Sequence, residues 1–360
     1  MTTAAPIDDQ ETSAGRPEEF YLPPLPRLLP VGYHPEAARI EFASNGWVRR
    51  MLGPCFAGEE QLLHFLRQRN GLYGPLTVPR ADAGRARDIA DWYQFVTVID
   101  SFASDRHALG ADHASARATF AAVLDALDGP LPAGDGPAAV YGRAARDLYE
   151  RLGRGLSPAQ TARLLASLAA FLHGCAVEIR SKLDRAVPEF EECMRVREDS
   201  FGCAFLQLLT EYAAEVDLTA LRATGLLNQV HHHAMRQLII VNDLLSWRKE
   251  YRDEDTMTTV RVLCEGQGLT LQAAVDRLCA LVERHERAYL AARDALLAGP
   301  ADADLRAYLA GLDQLIGGSQ EFEYLTPRYF GDGSAWDGST SGWLSLTDPV
   351  AHFRPAPATR

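Results

Sequence analysis

The densest chemistry lies in residues 239–250, IIVNDLLSWRKE. Asn242, Ser246 and Glu250 stand at i, i+4 and i+8, so on a helix they drift only ~80° around the axis while rising ~12 Å. An amide oxygen, a hydroxyl and a carboxylate then form one ridge. Such a ridge suits Mg2+, a hard ion that takes oxygen ligands and keeps room for water and phosphate oxygens. The apolar residues Met235, Leu238, Ile239 and Ile240 lead into it, which predicts a largely buried helix. A second stretch, WYQFVTVIDSFASDR at 92–106, ends an apolar, aromatic helix on Asp100, with Asp105 five residues on. A carboxylate there is costly unless it is paired or holds a metal. The third, PEFEECMRVREDSFG at 188–202, brings Arg195 and Arg197 up to a break at Gly202. A guanidinium at a break can grip a phosphate beside free backbone groups. The fourth, TPRYF at 326–330, sets a cation and a phenol, Arg328 and Tyr329, at the end of the last helix. Taken singly, each stretch also reads as ordinary solvated or ion-paired helix.

Positioning these groups takes a helical frame. From Pro35 to about residue 330, amphipathic stretches alternate with breaks at 71–79, 129–136, 153–158, Pro188 and 299–300,. Ser157-Pro158 opens one helix, serine as N-cap and proline in the first turn. Period-two, β-branched text is nearly absent, so roughly ten helices of about 12 to 25 residues are expected in one all-α domain over residues 19–332. Residues 1–18 read as a disordered tail. Residues 19–35, with five prolines in FYLPPLPRLLPVGYHP, read as an extended strap over the surface,. Residues 333–360 read as a flexible C-terminal tail.

Bulk properties narrow the function. A formal charge of −12 speaks against a basic surface for nucleic acid or anionic lipid,. Residues 1–18 carry acids and no apolar core, unlike a signal peptide. No apolar run comes near the ~18 residues of a membrane span, so no membrane partner is expected. The six cysteines form no CxxC pair and read as reduced thiols of a cytoplasmic protein,. His231, His232 and His233 point in three directions on a helix and give no facial metal site.

In this order the four stretches resemble a bacterial class I terpene synthase, over about residues 20–330. Asn242-Asp243-x-x-Ser246-x-x-Lys249-Glu250 reproduces that family's second metal motif, NDxxSxxKE. Arg197, Ser200 and Gly202, after Pro188, are similar to its diphosphate-sensing arginine, Thr/Ser and glycine. Thr326 with Arg328-Tyr329 matches its C-terminal pair, and Phe322 takes the place of a frequent tryptophan. The first motif departs. Where two adjacent acids are usual, the chain has Asp100-Ser101-Phe102-Ala103-Ser104-Asp105. This variant resembles that of venezuelaene synthase-type diterpene cyclases, which implies geranylgeranyl diphosphate as substrate.

The resemblance implies a single-domain helical bundle with a deep central cavity. It implies Mg2+-dependent ionisation and cyclisation of a linear isoprenoid diphosphate to a polycyclic diterpene, with three Mg2+ ions that Mn2+ can replace. Asp100, with Asp105 in reach, would hold two ions, and Asn242, Ser246 and Glu250 the third. Arg197, Lys249, Arg328 and Tyr329 would bind the diphosphate, and a homodimer is among the family's habits. Tyr93, Val96 and Thr97 lie on the face of Asp100, and His231, Met235 and Ile239 precede Asn242 by 11, 7 and 3 residues,. With Phe201 and Phe322 they are candidates for the pocket lining, or for plain core. A chain-elongating enzyme would carry a second DDxxD motif. A sesquiterpene cyclase acting on farnesyl diphosphate, or a protein that binds the diphosphate without turnover, are the alternatives.

Overall fold

The computed structural model describes residues 18–104 and 108–355. Among them the chain is all-α, with eleven helices of nine residues or more: α1 (Ala37–Met51), α2 (Glu59–Arg67), α3 (Ala83–Ser104), α4 (His113–Asp128), α5 (Pro137–Gly153), α6 (Pro158–Asp184), α7 (Phe190–Ser200), α8 (Cys203–Ala214), α9 (Asn228–Asp253), α10 (Leu271–Ala298) and α11 (Ala303–Leu325). α9 runs through the middle, packed against α10 and α11, while α3 lies against α1 and the short helix Tyr73–Thr77. Between them the rings of Trp92, Phe171 and Phe205 meet edge to face at 5.6–5.7 Å, a geometry that the aromatic quadrupole favours.

Local signals explain the boundaries. Ser157 Oγ accepts from Gln160 N at 3.2 Å, and Gln160 Oε1 accepts from Ser157 N at 3.1 Å, which starts α6 as the sequence implies,. Asp302 caps α11 through Leu305 N at 2.8 Å. Gly202 breaks α7 from α8 at φ 80°, and a Cβ there would lie inside the Phe205 ring,. The break is therefore sharp enough to turn the end of α7 toward α9.

Two expectations need correction. The C-terminal segment is anchored to the body: β2 (Gly342–Ser345) pairs antiparallel with β1 (Glu19–Leu22), and Trp343 bridges to Arg354. Leu344 and Leu346 are buried beside Phe20 and Leu22, and Arg248 and Arg252 of α9 donate to the carbonyls of Ser345 and Leu346 at 3.0 Å. Alternating apolar residues at 344 and 346, hidden in turn-forming text, supply the anchor. The strap is extended without helix, but its first four residues are a paired strand. Its middle is tied down by Leu28 N to Glu286 and by Tyr33 to Glu321. Second, α6 is long and apolar enough to cross a membrane by length and composition, with a mean hydropathy of 1.4 over 18 residues. Half of that window is buried in the fold, because Leu164, Leu168, Phe171 and Leu172 face the core. All six cysteines are unpaired.

Candidate active site

The stretch 239–250 sits in the buried part of α9. Ser246 Oγ donates to the Asn242 carbonyl and shares a 2.6 Å hydrogen bond with Glu250 Oε1. Glu250 Oε2 is buried and makes no hydrogen bond of ordinary geometry, with the Thr258 hydroxyl, itself unpartnered, the neighbour whose dipole favours its charge. Burial, with the charge of Asp243 next, pushes the Glu250 carboxyl up to about 8,. A buried carboxylate with a spare oxygen, next to a hydroxyl and an amide, is a donor set a hard divalent cation fits, and such a cation would remove the strain on ionisation.

Across the cavity, Asp100 lies near the end of α3, its side chain 37% exposed. Arg328, almost wholly covered, donates to Asp100 Oδ2 at 2.5 Å, to Ser101 Oγ at 2.7 Å and to Gln68 at 3.2 Å. Ser101 donates in turn to the Thr97 carbonyl at 2.7 Å. Thr326 caps the short helix Pro327–Phe330 that presents Arg328 and Tyr329. Asp105 lies outside the described residues.

Arg197, one turn before the Gly202 break, donates to Asn242 Oδ1 at 2.9 Å and to Asp243 Oδ1 at 2.6 Å. Asp243 is held by Thr259 N at 2.7 Å. Lys249 pairs with Asp253 at 3.0 Å. One cavity brings Asp100, Arg197, Asn242, Ser246, Lys249, Glu250, Arg328 and Tyr329 together. Arg195, the other arginine of its stretch, is not among the lining residues.

Sequence reasoning missed several lining groups. Glu178 and Glu323 each rise to about 7, burial first. Lys182 bridges the Ser104 carbonyl and Asp255 at 2.7 Å each, tying the end of α3 to the segment after α9. The only signal was a charge inside apolar helix text, which sequence alone reads as ion pairing. Of the apolar candidates, Tyr93, Val96, Thr97 and Phe201 line the cavity, joined by Tyr73, Phe171 and Phe205. Tyr73 and Tyr93 stack at 3.7 Å. Met235, Ile239 and Phe322 are not lining residues and are buried in the core. Met235 shares the face of Asn242 but lies ~10 Å down the helix. Phe322 supports the tyrosine pair edge-on from behind at 5.4 Å.

The histidines divide. His231 turns inward, 2.7 Å from the Tyr308 hydroxyl. His232 and His233 converge with His285 of α10, a partner the one-helix argument could not foresee, with 3.0 Å between the Nδ1 atoms of His233 and His285. Arg236 and Arg284 impose positive charge on these rings, which opposes a dication and leaves the cluster a bridge between helices.

Comparison with known proteins matches this geometry. Residues 91–288 fit the model of terpene synthase family 2, C-terminal metal binding. α-Muurolene synthase of Coprinopsis cinerea is 26% identical over 89% of this chain and 76% of its own. (3S,6E)-Nerolidol synthase of Selaginella moellendorffii is 26% identical over 88% and 85%. Among solved structures, the ancestrally reconstructed SVS_A2 protein superposes with a TM-score of 0.75 at 24% identity, over 89% of this chain and 93% of its own. Linalool/nerolidol synthase from Streptomyces clavuligerus gives 0.70 at 22%, over 82% and 98%. With a metal-binding domain matched over more than half its length, the chain belongs to the terpene synthase family and is an enzyme of that family.

Proposed function

We propose that the chain catalyses Mg2+-dependent ionisation of a linear isoprenoid diphosphate and cyclises the resulting cation. The observation that carries this reading is the buried Glu250 Oε2, without a hydrogen bond of ordinary geometry, in a cavity that also holds Asp100, Arg197 and Arg328 and is floored by aromatic rings. Asn242, Ser246 and Glu250 would hold one ion and Asp100 two, with Mn2+ able to replace Mg2+. Bound there, the metal supplies neutralisation of the charge that develops on the departing diphosphate.

The chain's own groups do the rest. Arg197, Lys249, Arg328 and Tyr329 grip the diphosphate. The two arginines give up contacts they now make with Asn242, Asp243, Asp100 and Ser101. Charge-assisted bonds of this kind are strong where water is excluded. Away from the diphosphate end, the ring faces of Tyr93, Phe171, Phe201 and Phe205 stabilise a carbocation without attacking it. Thr97 and Ser101 donate their hydroxyls back to carbonyls of α3, which keeps them oriented along the helix.

Two substrate lengths have distinct support. The Asp100–Asp105 string favours geranylgeranyl diphosphate and a polycyclic diterpene. The relatives include several named as sesquiterpene synthases, which favours farnesyl diphosphate. Incubation of purified protein with C10, C15 and C20 diphosphates, with and without Mg2+, separates them by gas chromatography–mass spectrometry. A cyclic product that needs Mg2+ is expected. No product from any substrate contradicts the reading.

A further inference from the structure

Glu323 belongs to none of the four stretches, yet it is 3% exposed and lies within the cavity. Both of its carboxylate oxygens face one atom, Asn242 Nδ2, at 3.1 and 3.2 Å. The Tyr329 hydroxyl accepts from the same Nδ2 at 3.1 Å. On its other side Asn242 Oδ1 accepts from Arg197 at 2.9 Å.

An asparagine side chain is nearly symmetric in shape, so only its hydrogen-bond partners decide which end is oxygen. Here the partners leave one solution. Arg197 can only donate, so the atom that faces it is the oxygen, and the nitrogen is left to the Glu323 carboxylate, an acceptor when ionised,. We infer that Glu323 is a positioning residue: by anchoring the Asn242 amide nitrogen, it keeps the amide oxygen turned away from itself and toward Arg197, as the atom a cation on the ridge would take. The inference rests on the proposed metal role of Asn242 and adds the group that sets its polarity. Glu323 sits on α11, six residues before Tyr329, so the same helix end that delivers the diphosphate-binding pair also orients a ligand of α9. Groups that hold a metal ligand in its orientation commonly carry 10–100-fold of metal affinity.

The test is a pair of substitutions with opposite logic. Glu323→Gln keeps shape but brings a donor to the anchor, so the Asn242 amide can turn its nitrogen to the metal. Asn242→Asp offers an oxygen whichever way it turns. Calorimetric titration of Mg2+ into protein with saturating inorganic diphosphate reads both. Glu323→Gln is expected to lower Mg2+ affinity by about 10–100-fold, with the metal-free melting temperature little changed. The double variant Glu323→Gln/Asn242→Asp is expected to recover most of that loss. Asn242→Asp alone, which sets two carboxylates in contact, binds worse than the double variant. Should Glu323→Gln not fold, Glu323→Met, which offers the amide neither donor nor acceptor, reads the same loss. Unchanged affinity in Glu323→Gln, or a double variant no better than Glu323→Gln, overturns the inference. A wild type that takes up no Mg2+ beside diphosphate overturns the proposed function itself.

Discussion

The two regions that face each other across the cavity are built on opposite plans. The ridge on α9 is buried, bonded to itself through Ser246, and braced by Arg197 and Glu323. The end of α3 is half open, and its one described acid is held by a single arginine arriving from residue 328. A buried ridge bonded to itself and to Glu323 has little freedom to move,. An open helix end takes its geometry from what binds it. The proposed metal site thus pairs a fixed donor set with a compliant one, and Ser101 falls on the compliant side.

Glu250→Ala should break the fixed side most completely, with loss of at least about 1,000-fold in kcat/KM and the helical fold intact by circular dichroism. Asp100→Ala should cost as much in turnover and lower the melting temperature, since it leaves the covered Arg328 guanidinium without its carboxylate, while the helical fold persists,. Retained cyclisation in Asn242→Ala/Glu250→Ala would show that the ridge holds no metal. Arg328→Ala should come next, with about 100-fold lost in kcat/KM and partial recovery in Arg328→Lys, because a lysine restores charge without the fork.

Ser101→Asp sharpens the comparison from the compliant side. It gives that end a second carboxylate, and the Mg2+ concentration for half-maximal turnover should fall by up to about 10-fold. No change there would mean that Arg328 already consumes what the second acid would offer. The smallest effect lies away from both regions. Burial holds His231 down from 6.5 to about 3, next to the charges of Arg222 and Arg163. A folded pKa below the unfolded one means stability is complete above pH 6.5 and falls as pH drops toward 3. Between pH 6.5 and 5 the loss is ~2 kcal/mol. His231→Gln should flatten that part of the melting-temperature profile while leaving kcat at neutral pH within about twofold.

The same contrast explains what the sequence made legible. The i, i+4, i+8 spacing on α9 is a property of one helix, so Asn242, Ser246 and Glu250 could be placed on one ridge from text alone. The helix starts at Ser157 and the break at Gly202 are equally local. What escaped depends on elements far apart in sequence: Glu323 meeting Asn242, Lys182 meeting Ser104, His285 meeting His233, and Arg328 meeting Asp100. Met235 and Ile239 look like lining because periodicity gives a direction around a helix, while the depth of a cavity along it is set by neighbouring helices. The pairing of residues 19–22 with 342–345 was hidden for the same reason. Four-residue strands carry too little pattern to announce a partner more than 300 residues away.

The central claim, that the fixed and compliant sides jointly hold metal around a diphosphate, is tested most directly by crystals grown with Mn2+ and inorganic diphosphate. Anomalous scattering should show Mn2+ beside Asp100 and beside Asn242, Ser246 and Glu250, with diphosphate oxygens reaching Arg197 and Arg328. Diphosphate bound with no anomalous peak at the α9 ridge, or Mn2+ gathered elsewhere, would contradict the account.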